Sequence, residues 1–307
     1  PKHLPQLIGQ DNAYIGSETI GVNHSRYPST VTSALFHKGR RGGNCGGAAG
    51  EQANARRLLY PMQPVTQPGR AALPLAIFDL DNTLWETESV VANAERVLAD
   101  WLGKQAPDYT AARDKEARKA LLAEVLDADP ELRHRVTALR IAVLELGLRQ
   151  AGYSADEAKR LALAGFEVFI DARHRLEYFP HAELVLELLS RQYQLACISN
   201  GNADVRRLGL DRYFSIIVSA DEVGLSKPHP APFVTALERA GVEPQQAVHI
   251  GDHPGDDIQG ALDVGMHTLW FNPQGSAWAG QQRAHGEVRC LSEIPPWLNR
   301  YQRYAKR

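Results

Sequence analysis

Cysteine is scarce in this 307-residue chain, where Cys45, Cys197 and Cys290 stand far apart. Three such residues make neither a disulfide framework nor a CxxC metal site, and a reducing compartment is expected. No apolar run reaches the roughly 18–20 residues that span a bilayer. The N-terminus also lacks the charged, apolar and small-residue regions of a signal peptide. A cytoplasmic protein with no membrane partner is therefore expected. A large excess of either charge is missing too, since 34 Lys and Arg against 36 Asp and Glu leave a net charge of -2. No global basic field favours nucleic acid, and no acidic excess repels an anionic substrate from a locally positive site.

What is present divides near residue 70. Residues 1–61 carry Gly42, Gly43, Gly46, Gly47 and Gly50, a basic cluster Lys38-Gly39-Arg40-Arg41, and little periodicity. Such a composition buries too little apolar surface to offset its ordering entropy. Residues 1–70 are expected to be a disordered extension rather than a basic arm for an anionic partner. The first Met is Met62, and the native product is expected to begin there.

From residue 71 onward, apolar runs alternate with helical patterns. Strands are predicted at 75–80, 195–200, 215–220, 247–251 and 267–272, with helices at 181–191, 230–240 and 257–264 between them. That alternation predicts an α/β fold, a parallel Rossmann-like sheet with helices on both faces. After the first strand it is interrupted over 86–178. Helices are expected there near 86–103, 112–127 and 154–175, and Leu132, Val136, Leu139, Val143 and Leu146 form one more apolar helical face. An inserted helical domain at 86–178 accounts for the break, with 71–85 and 179–298 forming the core. The tail 299–307 is basic with interleaved aromatics, and a terminal helix packed on the sheet is expected. There is no internal repeat.

Polar residues gather where predicted strands end. Asp79 and Asp81 follow the first strand, Ser199-Asn200-Gly201 the second, Lys227 the third, and Asp252 with Asp257 the fourth. In open parallel sheets that edge is where ligands bind. Carboxylates, one amine, one hydroxyl and backbone amides in one crevice suit a hard cation beside a phosphoryl group.

The segments FDLDNTL at 78–84, ISNGN at 198–202, SKPHPAPF at 226–233 and IGDHPGDDIQGA at 250–261 resemble, in order, the four motifs of the haloacid dehalogenase superfamily. The resemblance covers about residues 74–298. It implies a phosphatase acting on a small-molecule phosphate ester, with Asp79 as the nucleophile that forms an aspartyl-phosphate. Asp81 would protonate the leaving group and then activate water. Ser199 and the amides of Asn200 and Gly201 would hold the phosphoryl oxygens, and Lys227 would neutralise charge. Asp79, the Asp81 carbonyl, Asp252 and Asp257 would ligate Mg²⁺. Asp256 competes with Asp257 for that place, and the family spacing favours Asp257.

Dehalogenases of the superfamily look similar but lack the second aspartate, so Asp81 argues for esters. Lys104, Lys115, Lys119 and Lys159 of the insertion lack the apolar setting that a Schiff-base lysine of a phosphonate hydrolase requires. The insertion resembles the C1 cap, a lid over small substrates. SNGNAD at 199–204, RHRVTALR at 133–140 and GLDRYF at 209–214 are similar to bacterial phosphatases of FMN and riboflavin precursors. Arg140 is the candidate cap contact to substrate, Trp85 packs at a hinge or stacks on a ring, and His229 and His253 lack metal-ligand spacing. A phosphomutase sharing the intermediate and a non-catalytic phosphate-binding protein are the alternatives. A monomer or homodimer is expected.

Overall fold

The structure is a computed structural model that describes residues 75–110 and 114–304. The N-terminal extension with Met62, and the last three residues of the tail, lie outside the described residues.

Strand β1 (Leu75–Phe78) reads LAIF, and all four residues are buried, as a strand covered on both faces requires. Successive side chains point to opposite faces. Ala76 and Phe78 accordingly join one apolar cluster, with Leu186, Leu189, Phe214 and Phe271. Leu75 and Ile77 join another, with Ile198, Val218, Phe233 and Leu237. Helix α5 (Ala182–Ser190) belongs to the first face and α7 (Pro230–Ala240) to the second.

Around β1 lie β2 (Gln194–Ser199), β3 (Ile216–Ser219), β4 (Ala247–Gly251), β5 (His267–Phe271) and β6 (Gly286–Val288). Their spatial order is β3-β2-β1-β4-β5-β6 and every pairing is parallel. The chain winds outward in one direction through β3, then returns to the other side of β1 through β4. The crevice at the carboxyl ends of β1 and β4 is thus the switch point where ligands enter such sheets. Phe78 stands opposite Cys197 on one neighbour and Ile250 on the other, so Asp79 emerges beside both strand ends. Two short helices, α6 (Ala220–Val223) and α8 (Gly260–Asp263), follow β3 and precede β5. Strand β6 was not expected: three residues, Gly-Glu-Val, carry no readable alternation.

The insertion holds α1 (Glu88–Gln105), α2 (Lys115–Ala128), α3 (Val136–Gln150) and α4 (Ala155–Arg173). Its breaks come from caps. Asp114 accepts from the amides of Glu116 and Ala117, Asp129 caps a 3₁₀ turn at Pro130–His134, and Ser154 caps α4. Leu98, Leu102, Leu139, Leu148, Leu161 and Phe169 form a cluster of their own. Each such fully buried side chain contributes about 1.5–3 kcal/mol.

The last helix, α9 (Ile294–Tyr304), extends into the expected tail and lays Leu298 on the core, with Trp297 stacked on Tyr301 at 4.7 Å. No helix among the described residues is long and apolar enough to cross a membrane.

Candidate active site

Asp79 is the first residue past β1, anchored by its amide to the Ile250 carbonyl at 2.9 Å. Lys227, 2% exposed, reaches the same point from the loop after α6. Its Nζ donates to Asp79 Oδ1 at 2.6 Å, Asp257 Oδ1 at 2.7 Å and the Ile198 carbonyl at 3.0 Å. Those three acceptors use all three ammonium hydrogens, so Lys227 acts here as a buried point charge. The Asn200 side chain clamps the Lys227 backbone, accepting from its amide at 2.8 Å and donating to its carbonyl at 2.9 Å. Thus the loop after β2 holds the lysine in place.

Asp257 sits in a π-helical turn, Pro254–Gln259, which sets its carboxylate beneath Gly251. A Cβ at Gly251 would collide with that carboxylate, so only glycine fits. The His253 amide donates to Asp257 Oδ2 at 3.0 Å, and His249 Nε2 meets Oδ1 at 2.9 Å. His249 is wholly buried in the middle of β4. A polar residue inside an apolar strand was the available signal for it, and sequence reasoning passed over it.

Oxygens of Asp79, Asp252 and Asp257 lie within 4.8 Å of one another. Burial raises Asp79 to about 7 against the opposing charge of Lys227, with Asp257 and Asp81 adding repulsion. Burial, with the charges of Asp79 and Asp257, also holds Asp252 well above the usual carboxylate range. For Asp257, burial works the same way, but Lys227 and the His249 hydrogen bond outweigh it and hold it low. Burial likewise opposes the charge on Lys227, yet Asp257 and Asp79 keep its pKa above the ordinary value. Burial lowers His249 against the opposing hydrogen bond with Asp257, and its Nε2 is the ring nitrogen that faces that carboxylate.

Asp79 Oδ2 is buried without a hydrogen-bond partner. An orphaned oxygen beside two further carboxylates, all hard donors, fits Mg²⁺. Asp256 is buried too, but its Oδ2 lies 3.5 Å from His253 Nδ1 and the residue is outside this trio.

Asp81 is held separately. Its Oδ1 accepts from Trp85 Nε1 at 2.8 Å and Thr87 Oγ1 at 2.8 Å, and pairs with Arg173. Trp85 is wholly buried and bridges Asp81 to Tyr178, where the chain passes between core and insertion. Ser199 ends β2, and its Oγ accepts from the Gly201 amide at 3.0 Å. The two nearby histidines serve as caps: His229 Nδ1 accepts from the Ala231 amide and His253 Nδ1 from the Asp256 amide.

Arg140, expected as a substrate contact, is placed elsewhere. It is 5% exposed within the insertion, paired with Glu95 and lying 3.7 Å over the Phe169 ring. The physical reason is Glu95, a carboxylate that also binds Arg118 at 2.9 Å and draws both arginines inward.

Residues 73–265 match the family model described as haloacid dehalogenase-like hydrolase. The chain is 29% identical over 221 residues to 5-amino-6-(5-phospho-D-ribitylamino)uracil phosphatase of Escherichia coli (strain K12), covering 71% of this chain and 92% of that protein. It is 35% identical over 139 residues to phosphoserine phosphatase of Thermus thermophilus, covering 43% of this chain and 54% of that one. Among solved structures, 2-haloacid dehalogenase from Pseudomonas syringae pv. Tomato DC3000 superposes with TM-score 0.73 at 46% identity, covering 75% of this chain and 99% of that one. With its family model matched over more than half its length, and a sheet whose switch point gathers the motif carboxylates, the chain belongs to the haloacid dehalogenase-like hydrolases.

Proposed function

We propose that this hydrolase is a Mg²⁺-dependent phosphatase that cleaves a small phosphate monoester through an aspartyl-phosphate on Asp79. The observation that carries the reading is a division of labour between two carboxylates. Asp79 belongs to the trio tied to Lys227, whereas Asp81 is held apart by Trp85, Thr87 and Arg173. Two acids in different surroundings suit a nucleophile and an acid–base group.

An Asp79 oxygen attacks phosphorus while the ester P–O bond breaks, and Asp81 supplies a proton to the departing oxygen. Asp81 then takes a proton from water as that water attacks phosphorus, releasing inorganic phosphate and freeing Asp79. Lys227 offsets the negative charge that the nucleophile and phosphoryl group share. Asp79, Asp252 and Asp257 would hold Mg²⁺, which polarises a phosphoryl oxygen when bound. Ser199 Oγ and the Gly201 amide lie at the end of β2 as contacts for phosphoryl oxygens. The insertion touches the loop that carries Lys227, with His134 Nδ1 2.9 Å from Ser226 Oγ, which supports a lid over this mouth. The relative acting on a phosphorylated riboflavin precursor supports a polyol or flavin phosphate as substrate class.

The 46% identity to a haloacid dehalogenase favours carbon–halogen cleavage as the second reading. Asp81 and the carboxylate trio argue against it, because halide leaves without a proton or a metal. Parallel assays decide: Mg²⁺-dependent phosphate release from FMN, ribityl, nucleotide and sugar phosphates, against chloride release from 2-chloropropionate. Phosphate release with no chloride release supports the phosphatase, and the reverse overturns it. A phosphomutase would return an isomeric sugar phosphate instead of inorganic phosphate.

A further inference from the structure

Arg173 closes α4, where the insertion returns to the core, and it is 1% exposed. A cation at the last turn of a helix gains from the helix dipole while remaining in water. Full burial asks for more, because a buried guanidinium needs a counter-charge and hydrogen-bond acceptors. That counter-charge is Asp81: Arg173 Nη2 donates to Oδ1, and the guanidinium lies 5.9 Å from the centre of the Trp85 ring.

Oδ1 therefore receives three donors, from Trp85, Thr87 and Arg173. Thr87 stands at the N-cap of α1 yet gives its hydroxyl to Asp81 rather than to the helix. The other oxygen, Oδ2, faces the loop after β2 so closely that a Cβ at Gly201 would collide with it. One oxygen is tied down and its twin is aimed at the loop that the proposed function assigns to the phosphoryl oxygens. The neighbouring His174 fixes this junction, its Nε2 accepting from the Asp204 amide at 2.8 Å and its Nδ1 donating to the Ile170 carbonyl at 2.6 Å.

We propose that Arg173 is a positioning residue for proton transfer, holding Oδ1 of Asp81 so that Oδ2 meets the leaving oxygen. The inference rests on the phosphatase reading. Oδ2 gives its proton as the ester bond breaks and takes one from water in the second step. All three donors lie where the chain crosses between sheet and insertion, so the aim of Asp81 is tied to the seating of the insertion.

The test is the dependence of rate on leaving group, because an alkoxide needs a proton and dinitrophenolate does not. Phosphate release is measured with wild-type enzyme, Asp81→Asn, Arg173→Met and Arg173→Lys, on an alkyl phosphate and on dinitrophenyl phosphate. Arg173→Met is expected to lose about 10²-fold in kcat/KM on the alkyl ester and less than about 3-fold on the aryl ester. Arg173→Lys, which keeps the charge, is expected to recover about tenfold of the alkyl loss. Should Arg173→Met fail to fold, Trp85→Phe removes a second donor to the same oxygen and must show the same alkyl-selective loss. Equal losses on both esters, with Asp81→Asn still alkyl-selective, would overturn the positioning role alone. No phosphate release by wild-type enzyme from either ester would overturn the phosphatase reading, and this inference with it.

Discussion

Lys227 Nζ lies 2.6 Å from Asp79 Oδ1, and no other described group offers that carboxylate a cation at hydrogen-bond distance. Removing the ammonium strands Asp79 and Asp257 together in a buried site. Lys227→Met is expected to cost about 3–5 kcal/mol of stability at pH 8 and to abolish measurable turnover. Urea denaturation at fixed pH, read beside an activity assay, checks both effects.

Asp79 is raised from 3.8 to about 7 in the protein without metal. A raised carboxylate makes the folded state hold a proton that the unfolded state releases. Stability from this group is therefore present below about pH 4 and declines until about pH 7, by on the order of a few kcal/mol. Asp257, held low, works oppositely: its contribution is present above the ordinary carboxylate range and vanishes on strong acidification. The metal-free Asp79→Asn protein is expected to melt higher than wild type at pH 8 and no higher at pH 4. Thermal scans across that range in EDTA decide it.

Asp252 and Asp257 belong to the carboxylate trio and Asp256 does not. At 100 times its Kd, Mg²⁺ stabilises the folded state by about 2.7 kcal/mol. That gain is expected to vanish in Asp252→Asn and Asp257→Asn and to persist in Asp256→Asn, measured as the Mg²⁺-induced change in Tm. Retention in Asp257→Asn with loss in Asp256→Asn would reverse the assignment.

Arg140 pairs with Glu95 inside the insertion, and Arg118 holds the same carboxylate. Arg140→Met is expected to cost about 2–3 kcal/mol, below the usual cost of stranding a buried charge because Arg118 remains. KM for a good substrate is expected to stay within about twofold. A large rise in KM without a fall in Tm would restore Arg140 as a substrate contact.

The positions of Asp79, Ser199 and Asp252 were legible because each stands at the end of an apolar run that the sequence marks. Lys227 lies farther on, past β3 and a short helix, and was legible through its Ser-Lys-Pro segment. The helices of the insertion were legible for a similar reason, since Asp114, Asp129-Pro130 and Ser154 punctuate them. The inward pairing of Arg140 was not legible because its partner, Glu95, lies 45 residues away on another helix and no local pattern links them. Arg173 was missed on the same ground, its partner being 92 residues away. Strand β6 escaped because an edge strand of three residues is placed by its neighbour β5 and by Trp297, which fills the space beside Gly286. Local pattern located the strand ends, whereas pairing between distant charges decided which polar residues turn inward.

Phosphate is expected to leave through a covalent aspartyl-phosphate, an acyl phosphate, on Asp79. Phosphate release from FMN and from an alkyl phosphate, with and without Mg²⁺, in wild type and Asp79→Asn, tests it most directly. Mg²⁺-dependent release by wild type, with a loss of about 10⁴-fold or more in Asp79→Asn, is the predicted result. Undiminished release by Asp79→Asn would contradict it.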